Sequence, residues 1–172
     1  MSDFAAQAFL THIMKKIKKP YSLRSDTEKL ESNWTKTLGL FDRDEYSMAI
    51  MRAGTCAEIA ANIVVRSELV QKRGLEPRFV DSLLRWANGL QGKFSRIILP
   101  LFEGTPQYAT LKKHHKEIVT LNGARNEIAH GGRFASKKSA ENLLRVAHLV
   151  LRHNRARCLS QSVALRSRPS VN

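Results

Sequence analysis

Residues 42–73 constrain the fold most strongly. Tyr46, Ile50, Ala53, Ala57, Ala60 and Val64 recur at three- and four-residue steps, the spacing that lines one face of an α-helix. Several of these side chains are small, so a neighbouring helix can approach closely. The same period governs almost the whole chain, and no clear apolar–polar alternation marks a strand. The expectation is an all-α fold, a single-domain antiparallel bundle of about five helices. With 172 residues and 42% hydrophobic content, one domain with a sizeable core is the natural size.

A first helix is predicted over residues 3–18, stopped by Pro20, and a polar, weakly patterned stretch follows to residue 41, anchored only by Leu30, Trp34, Leu38, Leu40 and Phe41. The second and longest helix is expected to start at Asp42 or Asp44, with acidic residues favourable at its N-terminus, and to end at Arg73 before Gly74. Pro77 suits the first position of a third helix. Phe79, Leu83, Trp86, Leu90, Phe94 and Ile97 form its stripe, and Pro100 closes it. A fourth helix should cover residues 107–130, with Leu111, Ile118, Leu121 and Ile128 apolar, and end at Gly131-Gly132. The fifth runs from Ser136 to Arg157, turning Ala140, Leu143, Leu144, Ala147, Val150 and Leu151 inward. The chain thus divides into an N-terminal helix and polar extension (1–41), a helical bundle (42–157) and a basic, flexible tail (158–172).

Charge narrows the partners. Twenty-nine Lys and Arg oppose 15 acidic residues, a net +14 with a pI near 10.3. Nucleic acid is the leading polyanion for such a surface, since phosphate neutralisation releases condensed counterions; a merely soluble basic surface is the plainer alternative. Cys56 and Cys158 stand far apart and in no metal-ligand spacing, which fits a reducing, cytoplasmic compartment. The N-terminal segment carries its lysines after its apolar part, the reverse of a secretory signal. No apolar run reads as long enough to span a bilayer, and a packed first helix is preferred to one lying on a membrane surface.

The segment with chemical content is RNEIAHGG, residues 125–132. Asn126 and His130 are four apart and share a helix face, while Arg125 is adjacent to Asn126 and long enough to bring its guanidinium near them. An imidazole that titrates near neutrality and an always-charged guanidinium suited to phosphate are equipment for cleaving a phosphodiester. The reaction would be attack of a ribose 2′-hydroxyl on the adjacent phosphate. His130 would move the proton and Arg125 would stabilise the charge on the phosphoryl oxygens. RNA alone supplies that hydroxyl. One His handles one proton at a time, so a second copy of the site from a two-fold related chain would complete the acid–base pair. The structural alternative pairs Arg125 with an acid on a neighbouring helix and packs His130 at the helix end, where its charge complements the dipole.

The string R-N-x-aliphatic-A-H-G at residues 125–131, together with the long helix AGTCAEIAANIVVRSELV at residues 53–70, resembles the HEPN family (higher eukaryotes and prokaryotes nucleotide-binding domains). The resemblance covers about residues 42–157. It implies a metal-independent endoribonuclease acting as a homodimer with a composite site, leaving 2′,3′-cyclic phosphate ends. Arg125 and His130 would be catalytic, Asn126 would orient the site, and Glu58 would support Arg125. It also implies a toxin or phage-defence ribonuclease partnered by an antitoxin. Some members carry a Tyr two residues after the His that a nucleotidyltransferase antitoxin modifies; here that position is Gly132 and the nearest aromatic is Phe134. Members that have lost nuclease activity serve as nucleic-acid- or protein-binding modules, the second reading of this chain.

Lys112, Lys113 and Lys116 precede the motif by two to three turns, with Arg133 just beyond it; the cluster reads either as a phosphate-binding track leading to the motif or, equally, as a merely exposed charged face. His114-His115 point about 100° apart on a helix and read as solvated or partly packed rather than as metal ligands. No metal site or cofactor is expected. Trp34 and Trp86 read as core rather than as base-stacking platforms.

Overall fold

The computed structural model describes the backbone of residues 19–166 and the side chains of residues 19–151. The helix expected over residues 3–18 lies outside the described residues. A 3-10 turn at Tyr21–Leu23 leads into α1 (Asp26–Asp42) and then α2 (Tyr46–Arg66), which a π-helical turn prolongs over Ser67–Lys72. After α3 (Pro77–Trp86) and α4 (Gly89–Lys93), a second π turn at Phe94–Ile98 runs into α5 (Leu99–Phe102). The long α6 (Tyr108–Gly131) and α7 (Lys137–Arg166) follow. No strand occurs among the described residues, so the all-α expectation holds.

The polar stretch before residue 42 is a full helix, a correction with a clear cause. Its start is a reciprocal capping box: Ser25 Oγ accepts from the Glu28 N–H at 3.2 Å while Glu28 Oε2 accepts from the Ser25 N–H at 2.6 Å, satisfying two otherwise orphaned donors. Its packed face is partly polar, which blurs the pattern. Asn33 and Thr37 are buried. Asn33 donates to Tyr21 Oη and to the Lys29 carbonyl and accepts from Arg52 at 2.9 Å. Thr37 donates to the Asn33 carbonyl. Trp34, Leu40 and Phe41 add apolar contact with the core. The long helix accordingly starts later than expected. Asp42 ends α1, Asp44 turns the chain with a φ of 61°, and α2 begins at Tyr46, whose hydroxyl donates to Asp44.

The α2 helix is the centre of the bundle. Ala49, Ile50, Ala53, Ala57, Ala61 and Val65 are wholly buried along it, and α1, α3, α4, α6 and α7 all pack on it. Tyr46–Lys72, 27 residues, is long and apolar enough to cross a membrane by length and composition, contrary to the sequence-based reading; 56% of its apolar window is buried inside the fold.

The third predicted helix is broken. Asn88 takes a φ of 44° and Gly89 one of 68°, and the chain restarts as α4 with Gly92 pressed onto the Ala87 carbonyl, where a Cβ would stand 1.6 Å from the oxygen. The break shifts the helical phase. Val80, Leu84, Ala87, Leu90, Lys93, Phe94, Ile97 and Ile98 are buried, whereas Phe79 and Trp86, expected in the same stripe, are 57% and 60% exposed. At the other end of the chain, the last helix continues through Arg166, nine residues past its expected end at Arg157.

Candidate functional site

Arg125 comes off α6 towards α2 and lies across Gly54. A Cβ at Gly54 would stand 2.9 Å from Arg125 Cδ, so this glycine is what lets the arginine stem seat against α2. One turn further along α2, Glu58 reaches the guanidinium, with Oε2 3.8 Å from Arg125 Nη1. Its other oxygen accepts from Lys93 Nζ at 2.7 Å. Lys93 is 6% exposed, and a buried ammonium requires such a counter-charge. Glu58 therefore holds two cations, tightly on the Lys93 side and loosely on the Arg125 side.

Asn126 and His130 lie elsewhere on the helix. Both are exposed, and among the described residues no hydrogen bond or ion pair joins either to Arg125. At about 100° per residue, Arg125 and His130 diverge by about 140° around α6. Within one chain the three polar heads do not converge: the arginine faces α2 and the other two face outward. The Arg125–Glu58 contact matches the structural alternative, while the exposure of His130 does not. Gly132, with a φ of 61°, ends α6 directly after His130; the Gly132 and Arg133 N–H groups both reach back to the Glu127 carbonyl, closing the helix through a left-handed cap.

The same helical geometry puts Lys112 in line with His130 and Lys116 about 40° from it, and all three are exposed. Lys113 is exposed on an adjacent face. Lys112 Nζ also stands 5.5 Å over the Tyr108 ring. Arg133 is exposed and bridged to Glu127 at 2.8 Å. Beyond the motif, Phe134 is 96% exposed, in a loop tied to the start of α2 by the Ala135 N–H donating to Ser47 Oγ at 2.9 Å. Exposed Met48 is the next residue of α2, and exposed Val119 lies on the outward face of α6.

Beside Glu58 opens a polar cleft of about 440 Å³, lined among others by Asn62, Arg66, Asp81, Arg85 and Lys93. Asn62 Oδ1 is buried there without a hydrogen-bond partner. Arg66 crosses from α2 to bind Asp81 on α3 at 2.8 Å and Asp26 on α1. Sequence reasoning missed Gly54, Asn62 and Lys93. Lys93 carried a signal, a charge three residues after Leu90 and four before Ile97 on an apolar face. Three other histidines contact neighbouring side chains: His114 Nδ1 meets Glu117 at 3.2 Å, His115 stacks on Phe94, and His148 stacks on Trp34 with centroids 5.6 Å apart. Burial pushes the Cys56 thiol up to about 11, against weaker opposing influences from Thr37 and Arg52.

No protein-family model matches the chain, and comparison with curated proteins and with solved structures found no significant match.

Proposed function

We propose that the chain is a metal-independent endoribonuclease of HEPN type, working as a homodimer in which the motifs of two copies meet. The observation that carries this reading is the layout of α6: His130 and Asn126 stand exposed at its capped end, in line with Lys112 and Lys116, while Arg125 is seated behind them on Gly54 and Glu58. In the reaction the 2′-oxygen bonds to phosphorus and the P–O5′ bond breaks. One imidazole takes the 2′-hydroxyl proton and another supplies a proton to the departing O5′. Arg125 offsets the charge that builds on the non-bridging oxygens. The products are a 2′,3′-cyclic phosphate and a 5′-hydroxyl.

The divergence of His130 from Arg125 favours a composite site, since a second copy laid on the outward face brings two His130 imidazoles together and so supplies both the base and the acid that one chain lacks. Exposed Phe134, Met48 and Val119 give that contact apolar area. Lys112, Lys113, Lys116 and Arg133 position the strand by its phosphates. The resemblance extends the proposal to a cytoplasmic toxin or phage-defence role with a protein antitoxin. Gly132 stands where a modifiable Tyr would, so restraint by that modification is not part of it. The Arg125–Glu58 contact favours the second reading, a non-catalytic nucleic-acid- or protein-binding module. Comparing RNA with the same sequence 2′-O-methylated throughout separates the two: cleavage confined to the unmodified RNA supports the nuclease, and cleavage of both or of neither refutes the 2′-hydroxyl mechanism.

A further inference from the structure

The exposed face of α3 carries two large aromatic rings. Phe79 and Trp86, seven residues apart, lie on one stripe of α3 about 10 Å apart along its axis, and both are more than half exposed. Single exposed apolar residues need no explanation, but two large rings aligned on one helix face, with half-buried Leu83 between them, do. Arg96 lies with its guanidinium carbon 5.3 Å from the centre of the Trp86 ring. Such a pair presents a flat, cationic, aromatic surface.

The charge around the rings is mostly positive. Within residues 73–96 the exposed cations are Arg73, Arg78, Arg85 and Arg96. The acids of that segment are engaged: Glu76 caps α3 by accepting from the Arg78 N–H at 3.3 Å, and Asp81 is held by Arg66 at 2.8 Å. A neutral apolar partner would gain nothing from four arginines. A duplex would keep its bases stacked inside and leave the rings idle. A single strand uses both features, stacking bases on the rings and placing phosphates against the guanidinium groups.

We infer that the Phe79–Trp86 face of α3, flanked by Arg73, Arg78, Arg85 and Arg96, is a binding surface for single-stranded RNA. The inference rests on the ribonuclease reading for its choice of RNA and deepens it by naming where the substrate strand lies. Arg85 also lines the cleft beside Glu58 and Lys93, so a strand on this face borders the side of the site where Glu58 sits.

The test uses the full chain with His130→Ala, so that the RNA stays intact and a loss of cleavage is not read as a loss of binding, and with Trp34→Phe, so that Trp86 is the sole tryptophan. Titration with a single-stranded oligoadenylate should quench Trp86 emission to saturation, while inorganic polyphosphate and duplex RNA of equal charge should leave it nearly unchanged. In the His130→Ala chain with Trp34 restored, Trp86→Ala should weaken oligoadenylate binding, followed by anisotropy, about tenfold or more. Trp86→Phe should retain most of the affinity, and both variants should melt with their parent because the ring is exposed. Oligoadenylate binding without quenching, equal affinity of the Trp86→Ala chain, or no RNA binding at all would each overturn the inference, the last passing the face to a protein partner. Cleavage by wild type with no Trp86 dependence would leave the nuclease reading standing and this surface refuted.

Discussion

Removing Glu58 should destabilise the fold chiefly by stranding Lys93. Lys93 is 6% exposed and Glu58 Oε1 accepts from its Nζ at 2.7 Å, so Glu58→Ala leaves a buried charge without its counter-ion. Breaking a fully buried pair in this way costs about 3–5 kcal/mol. The Glu58 side chain keeps 29% of its exposure, and water entering the truncated site relieves part of the strain, which brings the expected loss to about 2–3 kcal/mol. For a chain of this length that is a melting shift of roughly 5–10 °C. The Arg125 contact, at 3.8 Å and part-exposed, adds under about 1 kcal/mol. Lys93→Met removes the charge and keeps the stem volume, so it should cost about 1 kcal/mol or less. In the Lys93→Met background Glu58→Ala should then cost far less than in wild type, a coupling of about 2 kcal/mol. Urea unfolding of the four chains, followed by circular dichroism, measures the cycle. Equal costs of Glu58→Ala in both backgrounds would refute the assignment of Glu58 as the counter-ion of Lys93.

Gly54→Ala places a Cβ 2.9 Å from Arg125 Cδ. Helix propensity should keep stability level or raise it by up to about 1 kcal/mol, while the displaced arginine lowers RNA cleavage roughly 10- to 100-fold; full activity would contradict a role for this seat. Gly92→Ala meets the backbone oxygen of Ala87 at 1.6 Å and cannot be relieved by a side-chain move, so a loss of more than about 3 kcal/mol in urea unfolding is expected. Cys56, pushed up from 9.0 to about 11 by burial, should resist iodoacetamide in the native state at neutral pH, as read by mass mapping of its peptide. Because its folded-state pKa lies above its unfolded one, its contribution is complete below about pH 9 and is lost as pH rises towards about 11. Cys56→Ser should flatten that part of the stability profile.

The helices legible in the sequence were those whose buried face is purely apolar. Ala53, Ala57 and Val64 on α2 and Leu111, Ile118 and Leu121 on α6 face the core as their spacing predicts. Where burial is partly polar the pattern failed. Asn33 and Thr37 on the packed face of α1 made a helix look like a loop, although Ser25-Asp26-Thr27-Glu28 is a capping-box signature. The α3–α4 break turns on Asn88 and Gly89, which a continuous apolar stripe masks, and it moves Phe79 and Trp86 to the surface. For the site, the string at residues 125–130 located the side chains but not their directions. A guanidinium can reach either flank of its helix, and only the space left by Gly54 and the charge of Glu58 turn Arg125 inward. The need for a counter-ion at Lys93 arises from burial, a property of the assembled bundle.

The most direct test of the account is incubation of labelled RNA in excess EDTA with the wild-type chain and with His130→Ala, followed by chemical analysis of the new ends. The account predicts cleavage by wild type only, leaving 2′,3′-cyclic phosphate and 5′-hydroxyl ends, with His130→Ala folded and still bound to RNA. Undiminished cleavage by His130→Ala, ends carrying a 3′-hydroxyl, or no cleavage by a folded dimeric wild type would contradict it.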